Sequence, residues 1–159
     1  MTRNTLVLIA AGGSAALLLG ALAFQYIGGL APCDLCILQR WPHLAAVAAG
    51  LGALINPGIL MPFLGMASAL TTALVGLYHA GVELTWWKGP DTCTSDSVGN
   101  LSPEQLMEQI MTAPLVRCDE IAWSMAGISM AGWNAILSLG LAGIWLAAAL
   151  RSRRRAPDA

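Results

Sequence analysis

The stretch APCDLCILQRWPH, residues 31–43, sets two thiols three positions apart and an arginine at the head of a run of apolar residues. Within residues 38–55 the ionisable groups are Arg40 and His43, both near the start. Working outward, residues 5–26 hold no ionisable side chain except Tyr26, and residues 122–150 carry no charge at all. Residues 59–82 hold only Tyr78 and His79. Charged residues make up 11% of the 159, where a soluble domain carries about 25%, and the mean hydropathy is +0.66. Apolar runs of about 18 or more residues are long enough to cross a bilayer. The expectation is therefore an all-α membrane protein: one domain, residues 1–159, built as a four-helix transmembrane bundle. Its spans fall at about 5–26, 36–55, 59–83 and 122–150, with outer loops at about 27–35 and 84–121.

Cations set the orientation. Arg3, Arg151, Arg153, Arg154 and Arg155 flank the two chain ends, whereas Arg40, Lys88 and Arg117 belong to the other side, where the long loop also holds six acids. Both termini are expected in the cytoplasm, with the loops outside. A formal charge of −1 offers nothing to a nucleic acid. Residues 21–23, Ala-Leu-Ala, resemble a signal-peptidase site, but Leu6 to Phe24 is longer than the usual apolar core of about 7–15 residues, so a retained first helix is expected.

On this topology all four cysteines, Cys33, Cys36, Cys93 and Cys118, lie on the outer face, where disulfides persist. A zinc knuckle needs a second close pair, and 24 residues separate Cys93 from Cys118. Haem attachment needs a histidine where Ile37 stands, so no metal is expected. Static disulfides are the competing possibility: closing the 26-residue span from Cys93 to Cys118 stabilises a loop by roughly 3.5 kcal/mol in the chain-entropy model. The Cys-x-x-Cys pair points elsewhere, because such small rings are characteristic of redox-active sites. Pro32 precedes it and a helix follows, so amide dipoles favour a thiolate. On a continuous helix Cys33, Cys36 and Arg40 share an arc of roughly 60°, with Arg40 one turn beyond Cys36. Pro42 leaves two possibilities open: a helix that runs through it, or a regular helix that begins there.

The long loop has its own signals. In LSPEQLMEQIM, residues 101–111, Ser102 suits an N-cap, Pro103 the first helical position, and Gln105 completes a capping box. Leu106 with Ile110, and Met107 with Met111, give an amphipathic helix able to rest on lipid or on the bundle. The segment GPDTCTSDSVGN, residues 89–100, is turn-rich, which predicts an exposed Cys93 that an external thiol can reach.

Three stretches together carry a family resemblance: CDLCILQR at 33–40, GPDTC at 89–93 and VRCDEIAWSMAGISMAGWN at 116–134. The chain resembles, over nearly its whole length, the disulfide-bond formation protein B (DsbB) family of bacterial inner-membrane oxidases. These regenerate the periplasmic oxidant DsbA and pass its electrons to quinone. Gln39 departs from the acid that some relatives carry before the arginine. The resemblance implies that reduced DsbA attacks Cys93, that Cys118 is its partner, and that electrons reach Cys33–Cys36 through a Cys33–Cys118 link. It further implies that Cys36 faces the quinone (ubiquinone or menaquinone), with Arg40 stabilising charge on the quinone oxygen. DsbA is oxidising at about −120 mV, and each 30 mV uphill costs about 1.4 kcal/mol for two electrons, so a strong final acceptor is required. His79 and Glu83, one turn apart, are candidates to relay quinone protons, or simply solvate a helix end. Trp86, Trp87 and Trp123 fit an aromatic belt, Trp123 also a quinone pocket. Asn134 is expected to bond a neighbouring helix, and Gly127, Gly132, Gly140 and Gly143 to allow close helix packing. A paralogue serving one dedicated partner, or a non-enzymatic protein with two stapled loops, are the alternatives.

Overall fold

The structure is a computed structural model that describes residues 1–94, 102–112 and 116–153. Four long helices dominate: α1 (Arg3–Tyr26), α2 (Asp34–Ile55), α3 (Leu60–Glu83) and α5 (Met130–Arg153). A shorter helix, α4 (Pro103–Thr112), lies in the long loop, and a two-residue hairpin, β1 (Ser124–Met125) with β2 (Ile128–Ser129), precedes α5. At 1.5 Å per residue, 22 to 24 residues give about 33–36 Å, enough for a hydrocarbon core of about 30 Å. Three helices, α1, α3 and α5, are also apolar enough to cross a membrane. In α2 the polar group Gln39, Arg40 and His43 lowers the average.

Each long helix packs on two neighbours in the cyclic order α1–α2–α3–α5, and the diagonal α1–α3 pair hardly touches. The interior is made of small residues. Ala10, Ala53, Ala69, Ala142 and Ala148 surround the fully buried Trp145, while leucines such as Leu8, Leu19, Leu51, Leu64 and Leu74 point outward. That inversion suits a lipid environment, where apolar side chains lose nothing by facing out and close backbone approach holds helices together. Gly65 shows how close the approach is: a Cβ there would lie 2.5 Å from Trp145 Cε2.

One end of the bundle is tied by a buried guanidinium. Arg3 Nε donates to Ser152 Oγ at 2.7 Å, and Nη2 donates to the carbonyls of Asn56 (3.1 Å) and Gly58 (3.3 Å) in the α2–α3 turn. At the opposite end α3 stops in a Schellman motif, with Trp86 N–H donating to Gly81 O and Thr85 N–H to Val82 O while Thr85 takes φ 57°.

The last span starts later than its sequence suggests. Residues 122–129 are apolar, yet Ala126 (φ 52°) and Gly127 (φ 77°) form the two-residue turn of a hairpin pairing Ser124 with Ser129 and Met125 with Ile128. Gly127 thus serves a turn rather than a helix contact, and a Cβ on Gly140 or Gly143 would meet nothing within 4 Å. α2 runs straight through Pro42 from Asp34, which settles the alternative left open by that proline. In α4, Met107 and Met111 are exposed, and Ser102 Oγ donates to Glu104. The side chains of Gln105, Leu106 and Ile110, on which the capping box and one apolar pair rest, lie outside the described residues, as do residues 95–100, Arg154 and Arg155.

Candidate active site

Cys33 is the N-cap of α2: its sulfur accepts the N–H of Cys36 at 3.3 Å. The same turn brings the two sulfurs to 2.7 Å, well inside non-bonded contact, so a small side-chain rotation closes a disulfide. Sharing its proton with the Cys36 sulfur, and burial after that, push the Cys33 thiol well above the usual cysteine range.

Cys93 and Cys118 form a disulfide that joins the two flanks of the long loop. Pro90 O accepts from the N–H groups of Cys93 and Thr94, and Cys118 N–H donates to Cys93 O at 2.7 Å. The turn-rich composition predicted an exposed Cys93. Instead it is 1% exposed and Cys118 is fully buried, because both sulfurs pack with Cys33, Leu35, Val82 and Val116 in one apolar cluster. Just outside, Arg117 donates to both carboxylate oxygens of Asp119, at 2.9 and 2.6 Å, and holds that carboxyl below its usual range.

The two cysteine pairs meet. Donor atoms of Cys33, His79 and Cys118 lie within 4.8 Å of one another, which puts the second pair's sulfur beside the first pair's. Three buried S and N donors at that spacing also suit a thiophilic metal. Here, however, one of the sulfurs is committed to a disulfide, which does not ligate as a thiolate does.

His79 and Glu83 do not solvate a helix end, since their side chains are buried 3.8 Å apart. His79 Nε2 is 3.6 Å from Cys33 Sγ, and Nδ1 is 2.9 Å from Gln39 Nε2. Gln39 also donates to Leu35 O and accepts from Asn134 Nδ2 at 2.7 Å. Asn134 therefore does bond other helices: beyond Gln39 in α2, its Oδ1 lies 2.8 Å from His43 Nε2, and its Nδ2 donates to Thr72 Oγ1 of α3. Gln39, His43 and Thr72 were not singled out as functional by sequence reasoning. The signal for the first two was the spacing Cys36, Gln39, Arg40, His43, an i, i+3, i+4, i+7 polar stripe in an apolar helix.

That stripe faces a cavity of about 410 Å³ bounded by α1, α2, the end of α3, α5, the hairpin and residues 116–120. Cys36, Arg40, His79 and Trp123 all line it, with Leu17, Phe24 and Leu137 among the apolar wall. Trp123 packs on Phe24 with ring centroids 5.0 Å apart, so it closes the cavity, whereas Trp86 and Trp87 sit apart from it around Tyr78. Arg40 Nη1 donates to Gln25 Oε1 at 2.6 Å, and its buried Nε has no hydrogen-bond partner among the described residues. An unpaired buried donor costs about 1–3 kcal/mol, which an acceptor placed in the cavity recovers. The wall is mostly apolar, and the charged residues along it are Arg40, Arg117, Glu83 and Glu120.

A family model described as Disulfide bond formation protein DsbB matches residues 3–148. The chain is 32% identical to a protein of Acidovorax sp. (strain JS42), covering 98% of this chain and 92% of that one. It is 35% identical to one of Methylococcus capsulatus (strain ATCC 33009 / NCIMB 11132 / Bath), over 80% and 82%. A third, from Polaromonas sp. (strain JS666 / ATCC BAA-500), is 29% identical over 98% and 95%. All three relatives carry the name Disulfide bond formation protein B. Two cysteine pairs brought together at the end of a helical bundle, in a chain matched almost throughout, place this protein in the DsbB family of disulfide bond formation proteins.

Proposed function

We propose that this chain is a protein-dithiol:quinone oxidoreductase of the bacterial inner membrane. It spans the bilayer four times with both termini in the cytoplasm, and α4 lies at the periplasmic surface. The observation that carries the proposal is the relay geometry: Cys118 beside Cys33, Cys33 beside Cys36, and Cys36 on the cavity.

A thiolate of a reduced DsbA-like partner attacks Cys93 Sγ; the Cys93–Cys118 bond breaks and Cys118 leaves as thiolate. The partner's second thiol displaces Cys93, so the partner departs as a disulfide and Cys93 becomes a thiolate. Cys118 attacks Cys33 of the Cys33–Cys36 disulfide and releases Cys36 as thiolate. Cys93 then attacks Cys118, which restores the loop disulfide and releases Cys33. Two electrons now reside on Cys33 and Cys36. A quinone held among Cys36, Arg40 and Trp123 would supply the two-electron, two-proton acceptor, so that one partner dithiol would yield one disulfide and one quinol. Arg40 holds the carbonyl oxygen where charge develops, a task that suits a fixed guanidinium better than an ammonium. The apolar wall and Trp123 keep water from the thiolates.

The test is quinone absorbance in detergent with purified protein, a reduced DsbA-like partner and a short-tailed benzoquinone. Stoichiometric loss of quinone with partner oxidation is expected. Partner oxidation that stops after the loop disulfide is spent, with quinone unchanged, would overturn the quinone half. No reaction at Cys93 would overturn the whole.

A further inference from the structure

Five side chains from three helices connect His43 to Cys33, and two backbone carbonyls fix how they point. Carbonyl oxygens only accept. Leu35 O is 3.1 Å from the Gln39 amide, so that side of the amide is Nε2. Its other hydrogen then goes to His79 Nδ1 at 2.9 Å, which must offer a lone pair. Gln39 O fixes the far end. Thr72 Oγ1 gives it its one proton at 3.1 Å, so the hydroxyl accepts from Asn134, and that atom is Nδ2. Asn134 Nδ2 also donates to Gln39 Oε1, and Asn134 Oδ1 accepts from His43 Nε2–H at 2.8 Å. The two ends agree. Every donor in the chain points the same way, from His43 through Asn134 and Gln39 to His79.

We infer that Gln39 is a positioning residue that locks His79 as the Nε2–H tautomer, so that the ring donates to the Cys33 sulfur. Three acceptors face Nε2: Cys33 Sγ at 3.6 Å, within sulfur hydrogen-bond reach, Glu83 Oε1 at 3.8 Å, beyond the range for oxygen, and the Cys118 carbonyl, which accepts only and so calls for an N–H at the same position. The inference takes its purpose from the thiol-exchange steps proposed above. A donor on Cys33 stabilises that sulfur whenever it becomes the thiolate leaving group, as when Cys118 is taken back by Cys93.

The chain has two histidines, so the tautomer is directly readable. Full-length protein with ¹⁵N-labelled histidine in detergent should show His79 with a protonated Nε2 and a bare Nδ1, a His79→Gln sample identifying the His43 ring. Gln39→Met, which removes the director at similar volume, should give shifts averaged between tautomers. A wild-type ring protonated at Nδ1, or an unchanged pattern in a folded Gln39→Met, would overturn the lock. The wild-type spectrum alone decides the first point if that variant does not fold. Alkylation of reduced Cys33 in a Cys36→Ala background is the second readout. It should slow at least about twofold on adding Gln39→Met, through loss of one hydrogen bond to the thiolate; equal rates would overturn the link to Cys33. Neither readout needs partner or quinone, so a failed quinone assay leaves both results standing on their own.

Discussion

Replacing Asn134 with leucine removes the hub through which α5 grips α2 and α3. The amide hydrogen-bonds four side chains: His43 at 2.8 Å, Gln39 at 2.7 Å, Thr72 at 3.1 Å and Ser138 at 3.3 Å. Ser138 belongs to α5 itself, so three of these bonds join helices, and at an average of about 0.6 kcal/mol each they give about 1.8 kcal/mol. Counted from the other side, His43 Nε2–H and Gln39 Oε1 lose a partner while buried, at about 1–3 kcal/mol each. The second count runs from about 2 to about 6 kcal/mol, so the two meet at about 2 kcal/mol. Leucine has the same heavy-atom count and branching as asparagine and is the larger of the two, so it leaves no cavity. Titration with sodium dodecyl sulfate in mixed micelles, followed by helical circular dichroism, measures the loss. A cycle with His43→Leu refines it, since residues of one network should couple by about 1 kcal/mol or more. A loss under about 0.5 kcal/mol, or strict additivity, would refute the claim that these helices are joined through a shared polar network.

Arg40→Ala should leave single-turnover oxidation of the partner intact while slowing quinone-dependent turnover about tenfold or more, with Arg40→Lys intermediate; equal losses in both measurements would remove Arg40 from the quinone step. Cys118→Ser should trap the partner on Cys93 as a long-lived mixed disulfide visible on non-reducing gels, and an adduct mapped to Cys33 would reverse the order of the pairs. Gly65→Val drives a branched side chain into Trp145, whose ring is fully buried, and should cost about 1–3 kcal/mol in the same detergent titration. An unchanged midpoint would mean that α3 and α5 separate freely at that level.

Much of the architecture was readable from charge and hydropathy alone, because a helix that must bury its backbone polar groups in lipid needs a long uncharged run. The Cys-x-x-Cys motif and Arg40 were readable for the same reason: polar chemistry stands out in such a sequence. The start of α5 was not, since residues 122–129 are as apolar as the helix they precede, and only the turn at Ala126 and Gly127 separates them. The burial of Cys93 was hidden as well. Composition of its segment is that of a turn, but the covering side chains, Val82 and Val116, come from distant positions. Gln39 looked like a family departure, and its partners on α3 and α5 lie 40 and 95 residues away, beyond what one helix's periodicity can report.

Arg3 fastens α1 to the end of α5 and to the α2–α3 turn, at the end of the bundle away from the cysteines. Rods clamped at one end keep their angular freedom at the other. A helix of 24 residues is about 36 Å long, so a tilt of about 3° that barely disturbs packing near the clamp moves the far tip by about 2 Å. On the proposed function, admission of a ring to the cavity or of a partner's thiolate to the buried Cys93 would be a lever motion about a fixed fulcrum. Such an opening would fall at the cysteine end, with the Arg3 end staying shut.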